Sequence, residues 1–169
     1  MDWLHFSRDV QEVMAQTWAR VDTILMGRKT FEVAAAMGGG SGGGMGAMGG
    51  IAGYVFSRTL RRVDPPAQLV SSDAAEFVRA LKVAEGKDIC VMGGAHLARS
   101  LFAAGLIDEV GLNIHPVLLG QGVPFFLDAG RIPMELAERR TISGGCVLLT
   151  YRVGRVRAPA VKRASRRKA

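Results

Sequence analysis

The stretch DICVMGGAHLARSLFAAGLIDEVGLNI, residues 88–114, carries the pattern that decides the fold. The apolar run Asp88–Met92 predicts a buried strand, and the pair Gly93-Gly94 predicts a tight turn after it. Apolar residues recur at helical spacing over Ala95–Ala104, and Glu109–Ile114 predicts another strand. Strands that alternate with helices in this way indicate a mainly parallel sheet covered by helices on both faces.

The same alternation runs through the rest of the chain. Helical spacing with an N-cap at Ser7, and again after Ser72 or Asp73, predicts two further helices, and a third follows Gly27. The predicted helices cover roughly 10–21, 29–37 and 73–84, and the predicted strands are Thr23–Met26, Tyr54–Ser57 and Gln68–Val70. At the end of the chain, Gly144-Gly145 separates Leu136–Ser143 from Cys146–Val153, the pattern of an antiparallel hairpin at one edge of the sheet. The predicted class is α/β.

The charge of the chain is divided unevenly along its length. The 169 residues carry a net charge of +7, yet eight of the 22 basic residues lie in 152–169, where no acidic residue occurs. The remaining 14 basic residues are balanced by 15 acidic ones. Such a division predicts one domain, residues 1–153, followed by a disordered basic tail, 154–169. Basic tails attract phosphates in general, but we do not expect a nucleic-acid partner.

Several classes of protein do not fit this sequence. Charged residues interrupt the start of the chain before a secretion signal could form, and the longest uncharged stretch, Val33–Ser57, is rich in glycine rather than lipophilic. Cys90 and Cys146 lie in apolar runs and are too few for a disulfide scaffold. Neither belongs to a cluster with metal-ligand spacing. We therefore expect a cytoplasmic protein without a membrane partner or a metal.

Three turns that follow predicted strands are suited to bind phosphate. After the first strand, Gly27 allows close approach of a ligand, and Arg28, Lys29 and Thr30 supply two cations and a hydroxyl at a helix N-terminus. Ser57 and Arg58 end the next strand; Arg binds phosphate groups bidentately. The third turn opens a helix with two glycines and comprises Gly93, Gly94, Ala95, His96 and Leu97. Each segment taken alone also fits an ordinary strand-to-helix turn, and His96 also fits a surface residue.

These three turns occur in the order found in a known superfamily. The stretches are MGRKTFE at 26–32, VFSRTL at 55–60 and VMGGAHLARSLFAAGLIDEV at 91–110, with DWLHF at 2–6 and NIHPVLLGQGVPFF at 113–126. Together they resemble the dihydrofolate reductase-like superfamily. The resemblance is strongest to the branch that contains the reductase domain of the bifunctional riboflavin-biosynthesis deaminase–reductase, and it covers residues 2–153.

The resemblance implies an NADPH-dependent reductase with a small-molecule substrate. Residues 27–30 would contact the phosphates of the cofactor, residues 57–58 would hold its 2′-phosphate, and residues 93–97 would cradle its pyrophosphate. A cis peptide between Gly93 and Gly94 is also implied. At the level of the family, the activity would be that of a 5-amino-6-(5-phosphoribosylamino)uracil reductase in riboflavin biosynthesis. A homodimer is left open.

Two departures from the family pattern limit what the resemblance implies. The first strand of the family and the loop after it are missing, so no catalytic residue is carried over, and the strands Ile89–Met92 and Glu109–Ile114 should face each other across a gap. We therefore expect the natural protein to begin upstream of Met1, and the chain as given to be marginally stable and inactive. The second departure is the glycine-rich segment Gly38–Gly50. A catalytically silent NADPH-binding protein, a truncated fragment and a nucleic-acid binder acting through its tail remain as alternatives.

Overall fold

The computed structural model describes residues 7–39, 50–127 and 130–154, which form two sheets and four helices. The helices are α1 (Arg8–Ala19), α2 (Arg28–Ala34), α3 (Ala74–Val83) and α4 (Ala95–Ala103). The strands are β1 (Val21–Gly27), β2 (Ala52–Phe56), β3 (Ala67–Val70), β4 (Asp88–Val91), β5 (Glu109–Ile114), β6 (Met134–Thr141) and β7 (Val147–Val153). The first sheet is parallel with the order β3-β2-β1-β4, and the second is antiparallel with the order β5-β7-β6. The α/β class is confirmed.

The core of the parallel sheet is built around β1, which is paired on both sides. Ile24 and Leu25 are fully buried because neighbouring side chains of a strand point to opposite faces, and both faces are covered. Ile24 packs in a cluster with Phe31 of α2 and Val55 of β2. On the other face, Leu25 packs in a cluster with residues of α3 and α4. The parallel sheet is therefore a central layer between helices.

Helix α1 connects the two sheets. Near its C-terminal end Trp18 packs against the core of the parallel sheet, whereas at its N-terminal end Val10 is buried with Ile142 and Cys146 beside the antiparallel sheet. The Asp9 carboxylate accepts hydrogen bonds from the Ser143 backbone N–H, 2.6 Å, and from its hydroxyl, 2.7 Å. These contacts hold the turn between β6 and β7 against the start of α1.

An ionic contact also links the two sheets after α1. The Arg20 guanidinium lies 2.7 Å from the Asp88 carboxylate at the start of β4, and 3.9 Å from that of Glu109 at the start of β5. Strands β4 and β5 nevertheless belong to different sheets and do not pair with each other, as the expectation of a gap between them requires.

The antiparallel part of the fold differs from the sequence-based expectation in two respects. We expected a hairpin at the edge of one sheet, but β5 pairs with β7 as well, so three strands form a separate sheet. The turn of the hairpin is also longer than the two glycines, because Ile142 donates its backbone N–H to the Cys146 carbonyl at 3.0 Å and a 3₁₀ turn lies between them. The hairpin itself is confirmed.

Two expectations concern parts of the chain outside the described residues. Most of the glycine-rich segment Gly38–Gly50 lies there, as does the basic tail beyond Gly154. In the described part of the chain, no helix combines the length and the apolar character needed to cross a membrane.

Candidate functional site

The parallel sheet brings the three predicted phosphate-binding turns to one edge. Because all four of its strands run in the same direction, their carboxyl ends lie together, with the end of β1 between those of β2 and β4. We call this surface the carboxyl edge and define it as residues 27–30, 57–58 and 93–97. Ligands of open α/β sheets bind outside the carboxyl ends of the strands. The turns predicted separately from the sequence thus form one surface.

Two glycines bring the turns after β1 and β4 into direct contact. A Cβ atom added at Gly94 would lie 3.1 Å from the backbone nitrogen of Gly27 and 3.3 Å from its Cα, closer than most Cβ contacts, so a side chain would require the Gly27 backbone to shift. Gly93 and Gly94 both have positive φ angles, 80° and 98°, which favour glycine. At Gly93 an added Cβ would meet the side chain of Thr30 at 3.1–3.2 Å. This backbone cradle depends on glycine at both positions.

The expected cis peptide between Gly93 and Gly94 is wrong. Among the described residues, the Pro65-Pro66 bond is the only cis peptide. The turn after β4 is instead made by two consecutive residues with positive φ, a conformation that glycine adopts without the steric cost of a Cβ atom. The reversal of the chain therefore needs no cis bond.

Helices α2 and α4 both begin at this edge, and each has a glycine at its N-cap. Gly27 and Gly94 provide no side chain to accept hydrogen bonds from the first turn of the helix. By contrast, the Asp73 carboxylate caps α3 by accepting the backbone N–H groups of Ala75 and Glu76, at 2.9 and 3.0 Å. Uncapped N–H groups and the positive end of the helix dipole attract anions. The electrostatics of the carboxyl edge thus favour phosphate.

The cations at this edge differ in how freely they can reach a ligand. The Arg28 guanidinium donates to both carboxylate oxygens of Glu32, one turn further along α2, at 2.8 and 3.1 Å. That ion pair neutralises part of the charge of Arg28 and fixes its position. Lys29 and Arg58 are exposed, and neither forms an ion pair with the described residues. They are the cations most available to an incoming anion.

The Ser57 hydroxyl is already engaged in the local turn. Its oxygen accepts the backbone N–H groups of Thr59, 3.1 Å, and Leu60, 3.0 Å, and lies 3.3 Å from the Thr59 hydroxyl. Because both lone pairs are used, the Ser57 hydroxyl can only donate its proton, either to the Thr59 hydroxyl or to a ligand. A phosphate oxygen is a suitable acceptor for such a donor.

Residues 95–97 would contribute to a phosphate-binding site mainly through their backbone N–H groups. His96 is exposed in the first turn of α4, as expected for a surface residue, and remains accessible to a ligand. Leu97 is buried in the core with Leu25 and Leu101, so its side chain cannot reach the edge. The prediction that residues 93–97 cradle a pyrophosphate therefore depends on their N–H groups.

Sequence reasoning missed two hydroxyl groups at this edge. Thr59 lies beside Ser57, and Ser71 follows β3, whose carboxyl end is adjacent to that of β2. Both residues are exposed. A hydroxyl directly after a predicted parallel strand was the available signal, because the carboxyl ends of parallel strands meet at one edge.

Elsewhere, the described residues offer little for other chemistry. They contain no group of three or more His, Cys, Asp or Glu side chains able to hold a metal. Burial raises the pKa of the Cys90 thiol on β4, which disfavours the reactive thiolate. A cavity of about 300 Å³ between α2 and residues 62–64 contains none of the predicted site residues.

Comparisons with known proteins agree with this architecture. Residues 2–148 match the family described as the RibD C-terminal domain. The chain is 43% identical over 99 residues to the uncharacterized protein YyaP of Bacillus subtilis, a match that spans 58% of this chain and about half (53%) of that relative. It is 27% identical over 128 residues to the uncharacterized protein YwjB of the same organism, covering 75% of this chain and 71% of YwjB.

Two solved structures share the fold. One is a putative riboflavin biosynthesis protein from Shewanella sp. PV-4, with a TM-score of 0.73 and 21% identity, covering 92% of this chain and 88% of that one. The other is a pyrimidine reductase-like protein from Corynebacterium diphtheriae, with a TM-score of 0.65 and 16% identity, covering 89% and 83%. At these identities the likeness concerns the fold alone.

Proposed function

Since the chain belongs to the RibD C-terminal domain family, we propose that it is a reductase that binds NADPH at the carboxyl edge. It would pass hydride to a small heterocyclic or carbonyl-like substrate. The observation that carries this proposal is the contact between two glycine-led helix starts, in which a Cβ atom added at Gly94 would crowd the backbone of Gly27. Because the first turns of both helices lie side by side, their free N–H groups would be within reach of one pyrophosphate.

The residues at this edge fit the chemical groups of the cofactor. The N–H groups that begin α2 and α4 would hold the pyrophosphate, and Lys29 would add charge beside it. Arg58 and the Ser57 hydroxyl would hold the 2′-phosphate, which distinguishes NADPH from NADH. When bound, the nicotinamide supplies the hydride, and the protein supplies binding, orientation and electrostatics.

The roles of the two arginines differ because, within the described part of the chain, Arg28 has an ionic partner and Arg58 has none. The Glu32 carboxylate neutralises the Arg28 guanidinium and keeps it in place over the first turn of α2. Arg28 would therefore attract the phosphates only weakly, and its main role would be to position them through a guanidinium that is held in place. Arg58 is unpaired among the described residues, so its full charge is available to the 2′-phosphate.

The substrate we propose is the ribosylaminopyrimidine of riboflavin biosynthesis, 5-amino-6-(5-phosphoribosylamino)uracil. The support is the family match, together with a structural neighbour whose name is pyrimidine reductase-like. The fold similarity to that neighbour does not by itself carry the activity over to this chain.

The test has two steps, binding and turnover. NADPH and NADH are titrated into the protein, and consumption of NADPH is then followed by its absorbance in the presence of the ribosylaminopyrimidine. Both steps use the full chain. We expect tighter binding of NADPH than of NADH, and oxidation that depends on the substrate.

Two other outcomes would be informative. Binding of NADPH without turnover would favour the silent NADPH-binding protein. Failure to bind NADPH would contradict the proposed function.

A further inference from the structure

The cavity of about 300 Å³ beside α2 is separate from the carboxyl edge. It lies between the helix and the loop that joins β2 to β3, and we call it the side cavity. Its volume is at the lower end of the range for small-molecule sites, about 300–1,000 Å³. The helical wall and the loop wall each contribute three lining residues, which are Phe31, Glu32 and Ala35 on the helix and Arg62, Val63 and Asp64 on the loop.

The floor of the side cavity is apolar. The Phe31 side chain is 7% exposed and belongs to the core cluster of the parallel sheet, and the half-buried Val63 packs against the same cluster from the loop. Ala35 contributes only a methyl group and begins the π-helical turn after α2. Such turns are frequent at functional sites. The side cavity therefore offers a fixed apolar surface to the body of a small ligand.

The loop wall is held in place by hydrogen bonds of its own. At its start, the Ser57 hydroxyl oxygen accepts the backbone N–H groups of Thr59 and Leu60 at 3.1 and 3.0 Å. At its end, the Ala67 backbone N–H donates to the Asp64 carbonyl at 3.2 Å. Leu60 also packs against the core cluster. The loop thus presents its charged side chains from an anchored backbone.

Two opposite charges on the loop wall have no partner in the described part of the chain. The exposed Arg62 guanidinium and the half-buried Asp64 carboxylate form neither an ion pair nor a side-chain hydrogen bond there. On the helical wall, both oxygens of the Glu32 carboxylate accept from Arg28 at 2.8 and 3.1 Å. A carboxylate has about four lone-pair sites, so Glu32 can accept further donors. The side cavity therefore has one cationic donor group and two anionic acceptor groups for a ligand.

We propose that the side cavity binds an α-amino acid with an apolar side chain. The ligand ammonium would donate to Asp64 and Glu32, and the ligand carboxylate would accept the fork of N–H groups of Arg62. The apolar side chain of the ligand would lie against Phe31 and Val63. This site is independent of the proposed NADPH site.

The balance of charge favours a zwitterion over a simple cation or anion. Together with Arg28, the partner of Glu32, the walls carry two positive and two negative side chains. An amine alone would add a charge of the same sign as Arg62 and leave that guanidinium without a partner. A carboxylate alone would do the same to Asp64. A charge that is shielded from water without a partner costs free energy, so each of these ligands is disfavoured relative to one that carries both groups.

Titration of the full chain with L-phenylalanine, followed through the backbone amide resonances, tests this proposal. The matched probes are phenethylamine, which lacks the carboxylate, and hydrocinnamate, which lacks the ammonium. We expect phenylalanine to cause saturable shifts at the amides of residues 31–35 and 62–64. Each matched probe should bind roughly fivefold more weakly or worse, because it loses one charged contact at a partly exposed site.

Two variants examine the charged contacts separately. Arg62→Met and Asp64→Asn should each weaken phenylalanine binding roughly fivefold or more. Arg61→Met is the matched control, because Arg61 is exposed and does not line the side cavity, and it should bind phenylalanine as the parent chain does.

The three probes are compared on the parent chain, so the test does not depend on the folding of any variant. Absence of saturable shifts up to the solubility limit of phenylalanine would overturn the proposal. So would binding of either matched probe as tightly as phenylalanine, or unchanged binding in either folded disrupting variant. The titration contains no NADPH, so its failure is distinct from a failure of the proposed function.

Discussion

Replacing Gly94 by Ala should damage both the stability of the fold and the binding of the cofactor. The new Cβ would lie 3.1 Å from the Gly27 nitrogen, and the residue would have to keep a φ of 98°. The backbone of Gly27 is fixed by the sheet and cannot move aside as a flexible side chain would. Strain of about 1–3 kcal/mol for such a φ, with a similar cost for the overpacked contact, predicts a loss of about 2–6 kcal/mol in the free energy of unfolding.

The matched control is Gly105→Ala, because Gly105 also has a positive φ, 66°, but an added Cβ there would meet nothing within 4 Å. It should cost only the conformational strain, about 1–2 kcal/mol. Urea unfolding of both variants measures the difference, and NADPH titration under conditions where Gly94→Ala is still folded measures the effect on the site. Equal stability losses would refute the close approach, and unchanged NADPH affinity would refute the role of this turn.

Three further predictions concern charge and the ends of the domain. Arg58→Ala should weaken NADPH binding by about 1–3 kcal/mol and leave NADH unaffected in a titration, whereas Arg79→Ala, at an exposed arginine of α3, should change neither. Hydrogen bonds lower the pKa of Asp9, chiefly from the Ser7 hydroxyl, and that of Asp22, chiefly from the Lys87 backbone N–H. The two ionised carboxylates therefore contribute their full stabilisation above the ordinary carboxyl pKa of about 3.9, and this stabilisation is lost as the pH falls below that value. The melting temperature should drop in that acidic range, and less steeply in Asp9→Asn. An identical dependence of the melting temperature on pH in Asp9→Asn would contradict the role of Asp9. A chain that ends at Gly154 should keep its melting temperature and NADPH affinity, and a large loss of either would show that the basic tail packs on the domain.

Local signals predicted most of the elements. The strand Glu109–Ile114 was predicted to the residue, and α4 within one residue, because a strand and a helix separated by glycines have distinct periods and clear ends. The end of α2 was less predictable. The expected helix to Met37 changes to a π-helical turn over Ala35–Gly39, and helical spacing in a sequence does not distinguish these two hydrogen-bonding patterns.

What the sequence could not provide is the pairing of distant segments. The strand pattern of Glu109–Ile114 does not tell whether it joins the parallel sheet or, as observed, pairs with β7. The contact between Gly27 and Gly94 likewise depends on β1 lying beside β4. The Arg28–Glu32 pair, by contrast, was accessible from the sequence, because residues four apart on a helix are neighbours.

Binding of NADPH at the carboxyl edge can be observed directly in the backbone amide resonances of the full chain while the cofactor is added. We expect the amides of residues 28–30, 57–59 and 94–97 to shift together with a single dissociation constant. The amides of α3, whose N-terminus is capped by Asp73, should not shift. Saturable binding that leaves the amides of the carboxyl edge unperturbed, or no binding at all, would contradict an NADPH site at this edge.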